Sequence, residues 1–389
     1  MSKYTFLLIP FLCLLNCKNK ESRTINTAFH HWKNPLNITD FEQQYCQNIN
    51  ANTLYLRLFD VDYTALNKFA EPISELIINQ NDLIPFNKII PTIFITNRTL
   101  IKLNDNQIDS LSTLIIIKLG QITEEPVLNN SELKNSNSEL KNTHLALTNN
   151  GFKDKISELL IDCDWTASTK IKYFQLIKQL KTQLNKLNVQ SNKQLKITTT
   201  IRLHQIKFSE KTGIPPADKG VLMAYNTGDL SDPQTINSIL DINVLKQYLS
   251  ELKTYPLPLD VALPIFSWGI VKRDGQAVQL IPNFSKDFLL KNSKNTDLSR
   301  YNRVGAYFDK KNDHTITILK NGYYNSYYLY ADDVIKIEEI PINTLQQAAT
   351  LLSEHVNNQQ LTIGFFSLDS INLKRYNAND LMDVINRFK

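Results

Sequence analysis

The feature that most constrains the fold is a rhythm repeated along nearly the whole chain. Short apolar runs alternate with longer stretches whose apolar residues recur at helical spacing. Strands are predicted near Ala28–Lys33, Thr53–Asp60, Ile90–Asn97, Leu159–Trp165, Lys196–His204, Gly220–Asn226, Asp260–Ile270 and Leu361–Leu368. Between them, Thr39-Asp40-Phe41-Glu42 is a capping box that opens the first helix. Phe174, Ile177, Leu180, Leu184 and Leu187 share one helical face, as do Leu245, Leu249 and Leu252, and later Leu345, Ala348, Leu352 and Val356. Eight strands, each followed by a helix or a substitute, predict an α/β chain folded as a (β/α)8 TIM barrel with insertions. An open doubly wound sheet is the alternative built from the same units.

Two stretches break the rhythm. Residues 123–150 contain Ser131–Asn135 repeated as Ser138–Asn142, polar and without an apolar helical face, and read as a surface loop. Residues 271–342 alternate like antiparallel strands, with hairpin signals at Lys311-Asn312-Asp313 and Asn321-Gly322. They predict a small β-rich insertion between the seventh strand and its helix. The insertion is rich in tyrosine (Tyr301, Tyr307, Tyr323, Tyr324, Tyr327, Tyr328, Tyr330), suited either to a wall over a cleft or to cross-strand pairing within the module. The expected organisation is therefore 1–16 signal peptide, 17–27 tether, 28–270 barrel strands one to seven, 271–342 insertion, and 343–389 the last helix, strand and helix.

The N-terminal reading follows from length. The apolar run Tyr4–Leu15 is too short to span a bilayer and has the size of a signal-peptide core. It ends in Leu14-Leu15-Asn16-Cys17, which resembles a bacterial lipobox, with Asn16 where a small residue is usual. Cys17 is the expected lipidation site, which makes the bilayer a partner and the cell envelope the location. An ordinary signal peptide with a chance cysteine is the alternative. Cys13 would be removed, leaving Cys46 and Cys163, expected on separate elements as buried free thiols. The remaining composition argues against nucleic acid: 43 Lys+Arg against 38 Asp+Glu give a net charge of only +5, with the signs mixed.

Candidate site residues come from the barrel geometry, in which alternate residues face the lumen and strand C-terminal ends carry the chemistry. On the fourth predicted strand Asp162 and Asp164 share the lumen face, and carboxylates there are costly unless paired or used. A structural network with Arg57 or Arg202 is the plain alternative. Arg57 shares a predicted face with Phe59, and Asp60 and Asp62 follow near the strand end, Asp62 beginning the loop. Arg202 and His204 share a predicted face on the fifth strand; Trp32, after His30 and His31, ends the first, and Trp268 ends the seventh. Such tryptophans can stack on a sugar or simply fill a core. Asp369 reads as a helix cap. No His, Cys or Asp pattern has metal-ligand spacing, and no phosphate-cradling glycine loop is present, so neither metal nor cofactor is expected.

The sixth predicted strand reads Val221-Leu222-Met223-Ala224-Tyr225-Asn226. Together with Asp162-Cys163-Asp164-Trp165, it resembles glycoside hydrolase family 18, the chitinase-like barrels, whose fourth strand carries D-x-x-D-x-D-x-E and whose sixth carries M-x-Y-D/N. An insertion after the seventh strand is common there too. The resemblance spans about residues 28–389. It implies that Asp162 and Asp164 match the second and third motif aspartates, Tyr225 the transition-state tyrosine, and Asn226 its neighbour. The motif's first aspartate falls on Leu159 and its catalytic glutamate on Thr166, whose hydroxyl cannot protonate a glycosidic oxygen. The chain also resembles an uncharacterised bacterial lipoprotein family with an I-D-x-D-type fourth strand. The expectation is an envelope lipoprotein that binds or atypically hydrolyses glycan. Asp162, Asp164 and Tyr225 would act on the sugar, while Trp32, Arg57, Asp62, Arg202, Met223, Asn226 and Trp268 would bind it. A non-enzymatic assembly lipoprotein holding a protein partner is the alternative.

Overall fold

A computed structural model describes residues 23–389 other than 67, 79, 84, 124–151, 192–194, 233, 285–307, 313 and 325. The expected signal peptide, Cys17, the polar repeat, Tyr301 and Tyr307 lie outside the described residues. The strands are β1 (Thr24–His31), β2 (Ala51–Thr64), β3 (Phe69–Ile73), β4 (Lys88–Ile95), β5 (Glu158–Cys163), β6 (Lys196–Arg202), β7 (Lys219–Met223) and β8 (Leu259–Pro264). The insertion follows as β9 (Trp268–Arg273), β10 (Gln276–Pro282), β11 (Phe308–Asn312), β12 (Thr315–Ile318), β13 (Gly322–Tyr324), β14 (Tyr327–Leu329) and β15 (Val334–Glu338), before β16 (Gln360–Phe366).

Eight of these close into a parallel barrel in the ring order β1-β2-β4-β5-β6-β7-β8-β16, with β16 returning to β1. This is the (β/α)8 arrangement the strand–helix rhythm predicts; an open sheet would leave β1 unpaired on one side. The predicted capping box is present: Glu42 N donates to Thr39 Oγ1 at 3.2 Å, Thr39 N donates to Glu42 Oε2 at 2.9 Å, and the helix Asp40–Asn48 follows.

Period two sorts the side chains into two apolar layers. Outward-facing residues such as Leu54, Ile93, Ile161, Leu222 and Val261 join the helices in the main core. Inward-facing Ala28, Tyr55, Ile90, Leu160, Val221 and Ala262 fill the lumen. Each fully buried Leu or Ile contributes roughly 1.5–3 kcal/mol. Below that lumen layer the N-terminal end is plugged by ions. Lys219 Nζ lies 3.0 Å from Glu158 Oε1 and 2.6 Å from Asp260 Oδ2, and Lys88 Nζ lies 2.8 Å from Glu158. Tyr55 Oη donates to Asp260 at 3.2 Å.

Four departures from the expected pattern bear on the site. The predicted strand Asp260–Ile270 is two strands: β8 stops at Pro264, which has no N–H to donate, and β9 starts at Trp268 in a separate five-stranded antiparallel sheet. Trp268 therefore opens the insertion's sheet and does not end a barrel strand. The predicted fifth strand ends at Arg202, whose N–H donates to Gln205 Oε1 at 2.8 Å; this starts a helix, Leu203–Lys207, that carries His204 out of register. Strand β2 extends past the barrel rim and pairs antiparallel with β3, so Asp62 lies within a strand and not at a loop. A bulge in β2 also sets Arg57 opposite Thr92 but Phe59 opposite Ile93. That extra residue places Asp60, not Phe59, on the lumen side with Arg57.

The insertion has its own core of Val271, Ile281, Phe284, Ile316, Ile318, Leu329, Ile335 and Ile337. It leads into the helix Ile342–Ser353, so it sits between the seventh barrel strand and its helix.

Candidate functional site

Asp162 points into the lumen from the last turn of pleat in β5 and is buried. Thr200 Oγ1 on β6 donates to its Oδ1 at 2.7 Å. Burial pushes this carboxyl up to about 6, against the Thr200 hydrogen bond; the Asp164 charge adds to the rise, and Arg202 and Arg57 oppose it. Asp164, one pleat higher and half-exposed, forms an ion pair with Arg202 at the end of β6. The neighbouring Trp165 is core: it stacks on Tyr173 at 4.8 Å and donates to the Thr212 carbonyl at 3.3 Å. Thr166 is exposed and engaged with Ser168 Oγ at 2.9 Å, at the approach to the helix Lys170–Ser191. It offers no acid.

Arg57 does not reach the strand-five acids. Its Nε donates to Asp60 Oδ1 at 2.6 Å, and its guanidinium lies 4.9 Å from the Trp32 ring centroid and 5.5 Å from that of Phe94. Asp62 sits on the outer rim, bonded to Arg98 and accepting from Thr96 Oγ1 at 2.7 Å and from Tyr63 N at 2.8 Å. Burial alone would raise that carboxyl, but the Arg98, Thr96 and Tyr63 hydrogen bonds hold it below its usual range. An acid so held is ionised at neutral pH and is unsuited to donate a proton.

Tyr225 follows β7 and meets Phe266 edge-on at 5.9 Å and Phe366 at 5.8 Å. Burial pushes its phenol far up, and the charges of Asp162 and Asp164 add to this, so it stays a hydroxyl donor. Asn226 is exposed with φ 54°, a left-handed conformation that Asn tolerates. Met223, Tyr225, Asn226, Arg202 and His204 line a small cavity of about 80 Å³ beside Tyr248. His204 is thus a rim residue of a helix and not a lumen base.

The aromatic rings form a continuous ribbon across the mouth. Trp32 lies 5.5 Å from Phe366, Phe366 lies 5.9 Å from Phe266, and Phe266 lies 5.3 Å from Trp268. Trp268 is held by the insertion: its Nε1 donates to the buried Glu338 Oε2 at 3.0 Å. The same carboxylate accepts Ser238 N at 2.9 Å from the loop after β7, and Lys336 Nζ lies 2.7 Å from its other oxygen. Below Trp32, His30 is buried and stacks on Tyr55 at 4.3 Å; burial pushes its imidazole down to about 3, so it is neutral. Gly364 faces it so closely that a Cβ there would come within 2.8 Å of His30 Nε2. Asp369 caps the helix Ser370–Leu373, donated to by Ile371 N at 2.9 Å, and pairs with Lys33 at 2.6 Å.

Asp162, Asp164, Arg202, Met223, Tyr225 and Asn226 thus gather on one side of the mouth, with Trp32, Arg57 and Trp268 around it. Asp62 lies apart on the rim. Phe94, Phe266, Phe366 and Glu338 belong to the same region without being marked by the sequence pattern, and Asp60, marked there only as one of an acidic pair near the strand end, joins it as the partner of Arg57. Phe366 stands two residues beyond Gly364 and four beyond Thr362, so period two could have marked it; Glu338, buried inside the insertion, had no such signal. Cys46 and Cys163 are buried free thiols. Among the described residues, no three His, Cys, Asp or Glu side chains converge as metal ligands would.

No protein-family model matches the sequence, and no curated protein matches it. Solved structures do. The spore cortex-lytic enzyme SleL of Bacillus megaterium aligns at 12% identity and a TM-score of 0.52, covering 95% of this chain and 75% of that one. SleL of Bacillus cereus aligns at 13% identity and 0.48, covering 94% and 75%. A family 18 (GH18) chitinase from Cycas revoluta aligns at 12% identity and 0.43, covering 94% and 98%. At such identities what is shared is the fold: the chain has the barrel architecture seen in the cortex-lytic enzyme.

Proposed function

We propose that the barrel mouth binds a glycan and holds it without the acid step of a chitinase-like hydrolase. The aromatic ribbon from Trp32 to Trp268, crossing the lumen end that holds Asp162 and Tyr225, carries this reading. Sugar rings offer apolar faces to such rings and hydroxyls to the polar groups beside them. Thr166 supplies no proton, while Asp60, Asp62 and Asp164 are each tied to an arginine. A protein-binding scaffold fits less well, because a barrel used only as a core has no need of Arg57, Asp60, Asp162, Asp164 and Arg202 at its mouth.

One observation favours a second reading, atypical hydrolysis. Asp162, with its carboxyl near 6, is the mouth acid best matched to proton donation close to neutrality. The experiment that separates the readings is a glycan array combined with a hydrolysis screen on protein lacking residues 1–17. Retention of a glycan with no new reducing ends supports binding, product release that Asp162→Asn abolishes supports hydrolysis, and the absence of any retained or cleaved glycan overturns both. The lipobox-like Leu14–Cys17 supports the further proposal that the chain is anchored in the envelope through Cys17.

A further inference from the structure

We infer that the anchored chain stands with the N-terminal end of its barrel toward the bilayer and its mouth turned from it, so that glycan is taken from the side facing away from that bilayer. The inference rests on the Cys17 anchor proposed above and adds the geometry of the site to it. The chain is fixed to the barrel from its first described residues. Arg23 donates to the carbonyls of Val356 at 2.6 Å, Phe388 at 3.1 Å and Ser353 at 3.4 Å, the last turns and ends of the two final long helices. Thr24 N then donates to Gln359 O at 2.8 Å and β1 begins. In a barrel whose helices run back against the strands, all of these lie at the end opposite the mouth.

From Cys17 to Arg23 there are six residue steps. Whatever their conformation, they span at most about 20 Å. Tilted by about 36°, barrel strands of about seven residues rise roughly 19 Å along the barrel axis at about 3.3 Å per residue, and the extension of β2 with β3 and the insertion after β8 carry the mouth rim farther still. An anchor of that reach, leaving from the far end, cannot bring the mouth against the bilayer that holds it. The barrel also offers no passage from below, since Lys219, Glu158 and Asp260 plug the lumen beneath Tyr55. The ligand this geometry fits is a polymeric or opposing-surface glycan, not the headgroup of a glycolipid in the same leaflet. On the N-terminal face Lys88 and Lys219 pair with Glu158 and Lys181 pairs with Asp218, and the orientation inferred here rests on the tether and not on headgroup attraction.

The test uses full-length, lipid-processed protein in vesicles with an acceptor dye on the headgroups. Cys46 and Cys163 are buried, so a donor dye goes to a cysteine introduced at the N-terminal face, Gln359→Cys, or at the mouth rim, Ala167→Cys. The Gln359 position should show about twofold or more greater energy transfer than the Ala167 position. The difference should persist at about 0.5 M salt, and it should vanish when about 20 Gly/Ser residues follow Lys18. Asn357→Cys and Phe208→Cys form an independent pair at the two ends. Equal or reversed transfer, on protein whose Cys17 peptide carries the lipid mass, overturns the orientation. A Cys17 peptide without lipid overturns the anchor, and the orientation with it.

Discussion

Replacing Asp162 by Asn should make the protein more stable above neutrality and leave its stability nearly unchanged in acid. The side chain is buried in the lumen, and burial raises its carboxyl from the ordinary 3.8 to about 6. A carboxyl whose folded pKa lies above its unfolded one binds its proton more tightly in the folded state. Its contribution is therefore most favourable below about pH 4, declines as pH rises from about 4 to about 6, and stays unfavourable above that. At about 1.36 kcal/mol per pH decade, the full displacement corresponds to about 3 kcal/mol. Asparagine keeps the shape and an acceptor for the Thr200 hydroxyl but carries no charge to desolvate. The Asp162→Asn protein should then gain about 2–3 kcal/mol at pH 8, on the order of 5 °C in Tm for a chain of this size, and close to nothing at pH 4. Thermal unfolding of both proteins followed by circular dichroism from pH 4 to pH 8 gives the difference curve. A variant less stable than the parent at pH 8, or a difference flat across the range, would refute the reasoning. If the acid is kept at this cost because it contacts glycan, the stabilised variant should also bind about tenfold more weakly, or about 1.4 kcal/mol.

Other perturbations address other parts of the molecule. Glu338→Gln removes the charge that holds Trp268, Ser238 and Lys336 together; it should destabilise the fold by about 1–3 kcal/mol and shift the Trp268 emission, measured with Trp32 and Trp165 changed to Phe. An unchanged spectrum would show that the insertion does not set this ring. Trp32→Ala should weaken glycan binding by about tenfold while also freeing Arg57, and isothermal titration against the best array ligand reads it directly. Thr166→Glu places a carboxyl where the chitinase-like motif would have its acid, and a reducing-end assay on bound glycan should then detect more hydrolysis than with the parent. Cys17→Ala should lose lipid labelling and move from the membrane to the free fraction on centrifugation.

The eight barrel strands could be read from the chain because their signal is local. Apolar periodicity, the Thr39–Glu42 capping box and the alternation of strand and helix each depend on residues a few positions apart, and the same period of two put Asp162 with Asp164 and Met223 with Tyr225 on shared faces. What those residues meet was decided elsewhere. Asp164 pairs with Arg202 because β5 and β6 are neighbours at a particular stagger, and that stagger is imposed by closing the whole ring. One bulged residue in β2 exchanged Phe59 for Asp60 on the lumen face and gave Arg57 a partner other than the strand-five acids, an event no periodic pattern marks. Trp268 left the barrel for the antiparallel sheet, where Glu338, seventy residues later, takes its indole N–H. Local sequence carries the period of an element and the face each residue occupies. Charge pairing, burial and the assembly of the aromatic ribbon depend on contacts between distant segments, and these exist only once the barrel has closed and the insertion has packed against its mouth.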